Sequence, residues 1–283
     1  MKRVCLFILI FLFFGAACTN AKQADESFLQ NENGTFTIKT ERATYENYKV
    51  VYTCKDRSED IRSATVYGLP FEEYVPVLVV QAKERTLCFE LSSCAGFYPI
   101  VNLCDLTGDG KDEVLVLSTR TANGIGVYTT YVLDVGETSL EVLYRFPSYD
   151  YEYSGPDAQI PWEELNLGFK TEVLPEWRIQ LTYGKTNQTF VLEVPQEMRR
   201  FVGAHDDKGN PNKEELDLHF GTFYQLKAED TDGDGTFEIV ADQSFSFGTM
   251  RNSGTAVLTL KYNAGVRSFE IIDVKIESAQ LNV

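Results

Sequence analysis

Two stretches, 105-DLTGDGKDEVLV-116 and 230-DTDGDGTFEIVA-241, decide the fold of this 283-residue chain. They align without gaps at an offset of 125 residues, and each passes from an Asp- and Gly-rich loop into an apolar run. In the second copy Asp230, Asp232, Asp234 and Glu238 stand at positions one, three, five and nine, with Gly233 and Gly235 at four and six. Calcium takes roughly six to eight oxygen ligands at about 2.3–2.6 Å, so a loop that wraps it must alternate ligands with residues that tolerate tight turns. Asp230, Asp232 and Asp234 supply the alternate carboxylates, and the two glycines permit the curl. The carbonyl of Thr236, at position seven, is the expected backbone ligand, and Glu238 closes the site from the start of the next strand. The first copy sets Asp105, Thr107, Asp109 and Glu113 at the same positions, with Lys111 offering the carbonyl. Asp and Gly also favour acidic hairpin turns that hold no metal. Two copies of one spacing, each leading into a β-rich strand, favour the cation.

The likeness of the copies extends beyond the loops. The first continues through TANGIG, TTYVLDV, a GET turn and SLEVLYRF; the second through FGTMRNSG, TAVLTLKY, an NAG turn and VRSFEIIDVKI. Upstream, FTIKTERATYENYKVVYT and LGFKTEVLPEWRIQLTYG run in looser parallel. The chain therefore divides into a first β repeat at 35–147, a linker at 148–164 and a second β repeat at 165–283. Short runs of Val, Ile, Tyr, Phe and Thr bounded by turn residues predict strands at 36–40, 48–53, 64–67, 77–80, 87–91, 100–104, 113–118, 130–134 and 140–146 in the first repeat. In the second they predict strands at 177–183, 189–194, 223–227, 237–242, 255–262 and 268–276. Helical spacing is confined to Gln196–Val202 and to one turn at Phe71–Tyr74 before Pro76. The linker carries Tyr149, Tyr151, Tyr153 and Trp162, which read as an edge strand with a loop or as a ligand-facing aromatic patch.

An EF-hand loop needs an acidic ligand at position twelve and flanking helices, whereas position twelve here is Val116 or Ala241 within a strand. The pattern instead resembles the Asp-x-Asp-x-Asp-Gly-x-x-Asp loops of FG-GAP and VCBS repeats, with Glu113 and Glu238 in place of the final Asp and Thr107 in place of an acid. That resemblance implies calcium held by Asp105, Thr107, Asp109, Lys111 and Glu113 and by Asp230, Asp232, Asp234, Thr236 and Glu238. It also implies loops that join neighbouring strands of a blade. Residues 35–283 are too few for a seven-bladed propeller. The expected fold is all-β, two tandem pseudo-repeats of short antiparallel strands in a β-propeller-like body, or two small β-domains side by side.

At the N-terminus Lys2 and Arg3 precede the apolar run Val4–Phe14, then Gly15, Ala16, Ala17 and Cys18. The run is too short for a bilayer core of about 30 Å, and its order is that of an export signal. It resembles a bacterial lipoprotein signal, which implies a signal peptide at 1–17, cleavage before Cys18 and lipidation of Cys18. Residues 18–34 are then a lipid-attached polar tether, and the body faces outside the cytoplasm on the cell membrane. Plain secretion, with cleavage after Ala17, is the alternative. Beyond Cys18 lie Cys54, Cys88, Cys94 and Cys104, which form two disulfides in one of three connectivities or stay as thiols.

Asp and Glu number 42 against 26 Lys and Arg, for a net charge of −16, and losing Lys2 and Arg3 with the signal makes it −18. Such acidity repels nucleic acid and anionic membrane surfaces, so no nucleic-acid partner is expected and cations are the natural counterpart. With His205 and His219 the only histidines, a His-rich zinc site is excluded. No nucleophile elbow, zinc-protease motif or phosphate loop is present, and no catalytic residue is assigned. The loop 205-HDDKGNPNKEELDLH-219 reads as solvated polar chain, or more sharply as a metal or acid–base pair. Two functions remain. One is a calcium-binding, membrane-tethered interaction module for an envelope protein or glycan; the other is an exported, glycosidase-like hydrolase with structural calcium.

Overall fold

An unbroken apolar run such as Val114-Leu115-Val116-Leu117 reads as a strand covered on both faces, whereas alternation reads as a strand covered on one. The computed structural model, which describes residues 28–56, 58–69, 75–91, 99–122, 125–148, 165–247 and 253–278, follows that rule. Residues 1–27 with Cys18, the turn at 71–74, Cys94, and Tyr149, Tyr151, Tyr153 and Trp162 lie outside the described residues.

The chain is all-β. The first sheet comprises β1 (Phe28–Gln30), β2 (Phe36–Lys39), β3 (Thr44–Thr53), β4 (Ile61–Gly68), β5 (Val77–Ala82) and β6 (Arg85–Glu90). The second comprises β7 (Ile100–Cys104), β8 (Glu113–Ala122), β9 (Ile125–Val135) and β10 (Leu140–Phe146). The third holds β11 (Phe169–Leu174), β12 (Arg178–Tyr183) and β13 (Gln188–Glu193), followed by a 3-10 turn at Gln196–Met198 and the one-turn helix α1 (Arg199–Val202). The fourth holds β14 (Leu218–Glu229), β15 (Glu238–Phe247), β16 (Gly254–Asn263) and β17 (Ser268–Ser278). Every sheet is an antiparallel meander in sequence order. The expected helical segment appears where Gln196–Val202 was read.

The second sheet is the centre of a stack. One face of β8, with Leu115 and Leu117, joins a core with Ile179 and Leu181 of the third sheet and Phe223, Ile239 and Leu258 of the fourth. Its other face, with Val114 and Val116, packs on Val66, Leu78 and Val80 of the first sheet. The fourth sheet alternates instead: Ile239, Ala241, Gln243 and Phe245 are buried, and the residues between them are half-exposed. Among the described residues, none from the first sheet enters the core that the third and fourth share with the second. Among the described residues the cores therefore form a row of small packed β-units, the second of the two expected arrangements, and no closed propeller ring.

The remaining face of the first sheet, at Tyr67, Val77 and Val79, is covered by Ile38 and Tyr48 together with Phe28 and Phe36. The Phe28 and Phe36 rings stack with centroids 5.2 Å apart, and Phe36 lies 4.7 Å from Tyr67. Folded structure thus begins by Phe28, inside the stretch expected to be tether, because Phe28 finds two aromatic partners that a solvated linker would deny it. No disulfide joins Cys54, Cys88 and Cys104 to one another, and burial pushes the Cys54 and Cys104 thiols up.

The second and fourth sheets share one design: four strands, with an Asp-rich loop inside the first hairpin. They meet where the Tyr128 amide donates to Thr222 Oγ1 at 2.9 Å and where Phe146 stacks on Phe223 at 4.2 Å. Because β8 feeds two cores at once, Leu115→Ala is expected to destabilise the whole body by about 2–5 kcal/mol. Urea unfolding should show one transition moved to lower denaturant; two transitions with only one displaced would mean that the units unfold independently.

Candidate functional site

The second loop lies between β14 and β15, where Gly233 and Gly235 take left-handed φ of 76° and 90°. Asp230 organises the turn from within: its Oδ1 accepts the Gly233 amide at 2.8 Å and its Oδ2 the Gly235 amide at 3.1 Å. Asp234 Oδ1 accepts the Thr236 amide at 2.8 Å. Glu238, the first residue of β15, is fully buried. Its Oε2 accepts the Thr231 amide at 2.9 Å and the Thr231 hydroxyl at 2.6 Å.

Carboxylate oxygens of Asp230, Asp232 and Glu238 all lie within 4.8 Å of one another. An internal cation reaches this cluster. Lys261 Nζ stands 2.7 Å from Asp232 Oδ2, 2.8 Å from Asp234 Oδ2 and 2.9 Å from Glu238 Oε1. The register explains its position: β15 and β16 pair Ile239 with Leu260, so Lys261 falls opposite Glu238. Glu238 Oε1 faces this ammonium, while its Oε2 takes the hydrogen bonds of the loop. Three acidic neighbours hold the Lys261 ammonium well above the usual lysine range, and Lys261 in turn holds Asp234 below the usual carboxylate range. An all-oxygen, strongly anionic donor set suits hard divalent cations such as calcium, magnesium or manganese, and lacks the nitrogen or sulfur that favours zinc or copper.

The first loop is built on the same plan, with Thr107 where the second has Asp232. Asp105 Oδ1 accepts the Gly108 amide at 2.7 Å and its Oδ2 the Gly110 amide at 2.8 Å. Asp109 Oδ1 accepts the Lys111 amide at 2.9 Å. Glu113, only 2% exposed, accepts the Leu106 and Thr107 amides at 2.7 and 3.1 Å through Oε2 and the Thr107 hydroxyl at 3.1 Å through Oε1. Burial pushes its carboxyl up to about 7. Here β8 and β9 pair Val114 with Leu133, a register that sets Asp134, an acid, across from Glu113. Among the described residues only the second loop gathers three metal-type donors so closely. The loops themselves touch: the Phe237 amide donates to the Asp105 carbonyl at 2.9 Å, and a Cβ on Gly108 would stand 3.0 Å from Thr236 Oγ1.

Lys261 is the residue that motif spacing overlooks, since it lies a strand away from the loop. Its signal was nonetheless present in the repeat, because aligning TTYVLDV with TAVLTLKY sets Lys261 against Asp134. In the loop at 205–219, Asp206 turns back on its own chain, accepting the Lys208 and Asn210 amides at 2.8 Å each. His205 Nε2 meets the Leu174 carbonyl at 2.8 Å, across from β11.

A scan against protein-family models, a search of curated proteins and a search of solved structures each find no match. The chemistry of the two loops must therefore carry the reading, and it makes two predictions. Lys261→Met removes an ammonium that competes for the same oxygens, so calcium affinity by titration calorimetry should rise about tenfold or more. Unchanged affinity would mean that calcium and Lys261 do not contend for one place. The second concerns Glu113, whose folded carboxyl titrates near 7 against about 4.3 when unfolded. The folded state then binds the extra proton, so without metal this group's contribution is full below about pH 4 and is lost as pH rises through 7. Glu113→Gln should flatten that decline, worth about 3 kcal/mol, in urea unfolding with chelator at pH 5 and 8.

Proposed function

We propose that the chain is an exported, lipid-tethered, calcium-binding β protein that serves as an interaction module at the cell envelope. The observation that carries the calcium reading is the convergence of Asp230, Asp232 and Glu238 within 4.8 Å around a point already claimed by a positive charge. The fully buried Glu238 carboxylate needs positive charge beside its Oε1, a place the Lys261 ammonium takes at 2.9 Å, and its neighbours are oxygen donors of the kind calcium prefers. Calcium enters by displacing the Lys261 ammonium, exchanging one positive charge for two among three or four carboxylates. Asp230, Asp232, Asp234 and Glu238 would hold it, and its role is to fix the loop and the hairpin from which it springs.

Export and tethering rest on the order Lys2-Arg3, Val4–Phe14, Gly15-Ala16-Ala17-Cys18. The two loops, at the same end of packed hairpins, belong with FG-GAP and VCBS repeats in this reading. Their task is to brace a surface offered to an envelope protein or glycan.

Thermal melting tests the calcium reading directly. Calcium should raise the melting temperature of the wild type, chelator should reverse the rise, and Asp234→Ala should abolish most of it. Identical responses of wild type and variant to calcium and chelator would remove the second loop as a calcium site. Capture of the same envelope component with and without calcium would refute the view that the cation supports binding.

A further inference from the structure

The edge strands of this chain are not alike. A strand that closes a sheet turns a row of unpaired amides and carbonyls outward, and folded proteins usually blunt such rows with short strands, bulges or a covering segment. Here β1 is only three residues long. Register shifts interrupt β10 and β14, and the extra residue Ile272 interrupts β17. β11 is covered, since the Val173 amide donates to the Glu214 carbonyl at 2.9 Å and Thr171 exchanges hydrogen bonds with Leu216 at 2.8 and 2.9 Å. β13, the other edge of the same sheet, carries none of these devices among the described residues. It runs Gln188-Thr189-Phe190-Val191-Leu192-Glu193 in unbroken register with β12, without proline, and no described segment bonds the backbone of its outer side.

The direction of its free groups follows from its pairing. The Val194 amide donates to the Trp177 carbonyl at 2.7 Å, so by alternation Gln188, Phe190 and Leu192 bond β12, while Thr189, Val191 and Glu193 turn their amides and carbonyls to the open edge. The side chains of the same three residues point to the exposed face, with Val191 51% exposed, and Phe190 and Leu192 lie against the core. An antiparallel strand set on this edge about Val191 pairs Val191 with Val191 and Thr189 with Glu193, and brings Phe190 beside Leu192. The strand is thus its own complement. Charge selects the same occupant: residues 165–202 hold five basic against four acidic residues, a net +1, in a chain at −16. Two strongly acidic copies repel least where they meet through that stretch. We infer that β13 is a dimerisation edge, pairing antiparallel with β13 of a second copy about a two-fold axis at Val191 and joining two three-stranded sheets into one of six strands. Six residues a side bury less than the roughly 1,200 Å² of a stable interface, so the dimer is weak and depends on concentration.

Cysteine trapping reads the pairing and its register together, in the full exported chain with Cys18→Ser to exclude a lipid. Val191→Cys should form a disulfide-linked dimer under mild oxidation, because directly opposed residues of such a pair have Cα atoms about 5.5 Å apart, within disulfide reach. Thr189→Cys and Glu193→Cys should each stay monomeric alone and cross-link when mixed, since each lies across from the other. The parent chain, whose Cys54 and Cys104 are buried, sets the background. Without oxidant, sedimentation should show a monomer–dimer equilibrium that Val191→Lys weakens at least tenfold at unchanged melting temperature, by setting two ammonium groups opposite each other, and that Val191→Thr retains. A monomer at every concentration, trapping no greater than in the parent, trapping of Thr189→Cys or Glu193→Cys alone as readily as mixed, or a dimer indifferent to Val191→Lys would each overturn the inference. So would slow hydrogen exchange of the Val191 amide in the monomer, which would mean that another part of the chain already covers the edge. Asp234→Ala should dimerise as the wild type does, so this result and the calcium reading stand or fall separately.

Discussion

A carboxylate buried at the head of a strand is unfavourable unless hydrogen bonds or an opposite charge reach it. Among the described residues there are two, Glu113 at the start of β8 and Glu238 at the start of β15. Much of the local structure answers that constraint. In each case the preceding loop curls back so that its own amides and a Thr hydroxyl turn toward the acid, Thr107 on Glu113 and Thr231 on Glu238. The glycines and the first Asp of each loop make the curl affordable, because Asp105 and Asp230 tie the turn together with their side chains. The loop sequence is therefore fixed by the acid it serves as much as by any ion.

The copies then diverge over charge. Opposite Glu238 the chain supplies Lys261, whose ammonium meets three carboxylates. The register opposite Glu113 offers Asp134, and there burial raises the carboxyl to about 7 rather than pairing it. One loop is balanced internally and the other relies on hydrogen bonds and on a proton. A single strand position, Lys261 against Asp134, separates these solutions. Motif spacing alone treats the two loops as equivalent.

The strand pattern was legible because period-two alternation and turn residues are local properties. Segments such as Ile100–Cys104 and Leu140–Phe146 begin and end where their composition changes. The strands that went unread, Phe28–Gln30 and Phe169–Leu174, depend on distant partners. Phe28 becomes ordered by Phe36 and Tyr67, and β11 by a full register with β12, from Phe169 against Tyr183 to Leu174 against Arg178. The loops were legible as Asp- and Gly-rich turns for the same local reason. Lys261 was not, since its place beside the loop is set by the pairing of two strands. His205 was noticed as a residue; its orphaned Nδ1 exists only because β11 brings the Leu174 carbonyl to its other nitrogen.

The contact between the loops gives the acidity of the chain a sharper meaning. The Phe237 amide bonds the Asp105 carbonyl, so the residue just before Glu238 is anchored on the residue that opens the first loop. Two clusters of carboxylates are thereby held side by side in a chain already at −16, and unit charges several ångströms apart still repel by about 1 kcal/mol or more near a protein surface. The ammonium of Lys261, seated on Asp232, Asp234 and Glu238, offsets part of that charge in the second loop. Any cation that displaced it would bring at least as much positive charge to the same place and make the potential there less negative. The backbone hydrogen bond from Phe237 to Asp105 thus ties two acidic loops together, and only the second has across its hairpin the positive charge that the register of the first, with Asp134, does not supply.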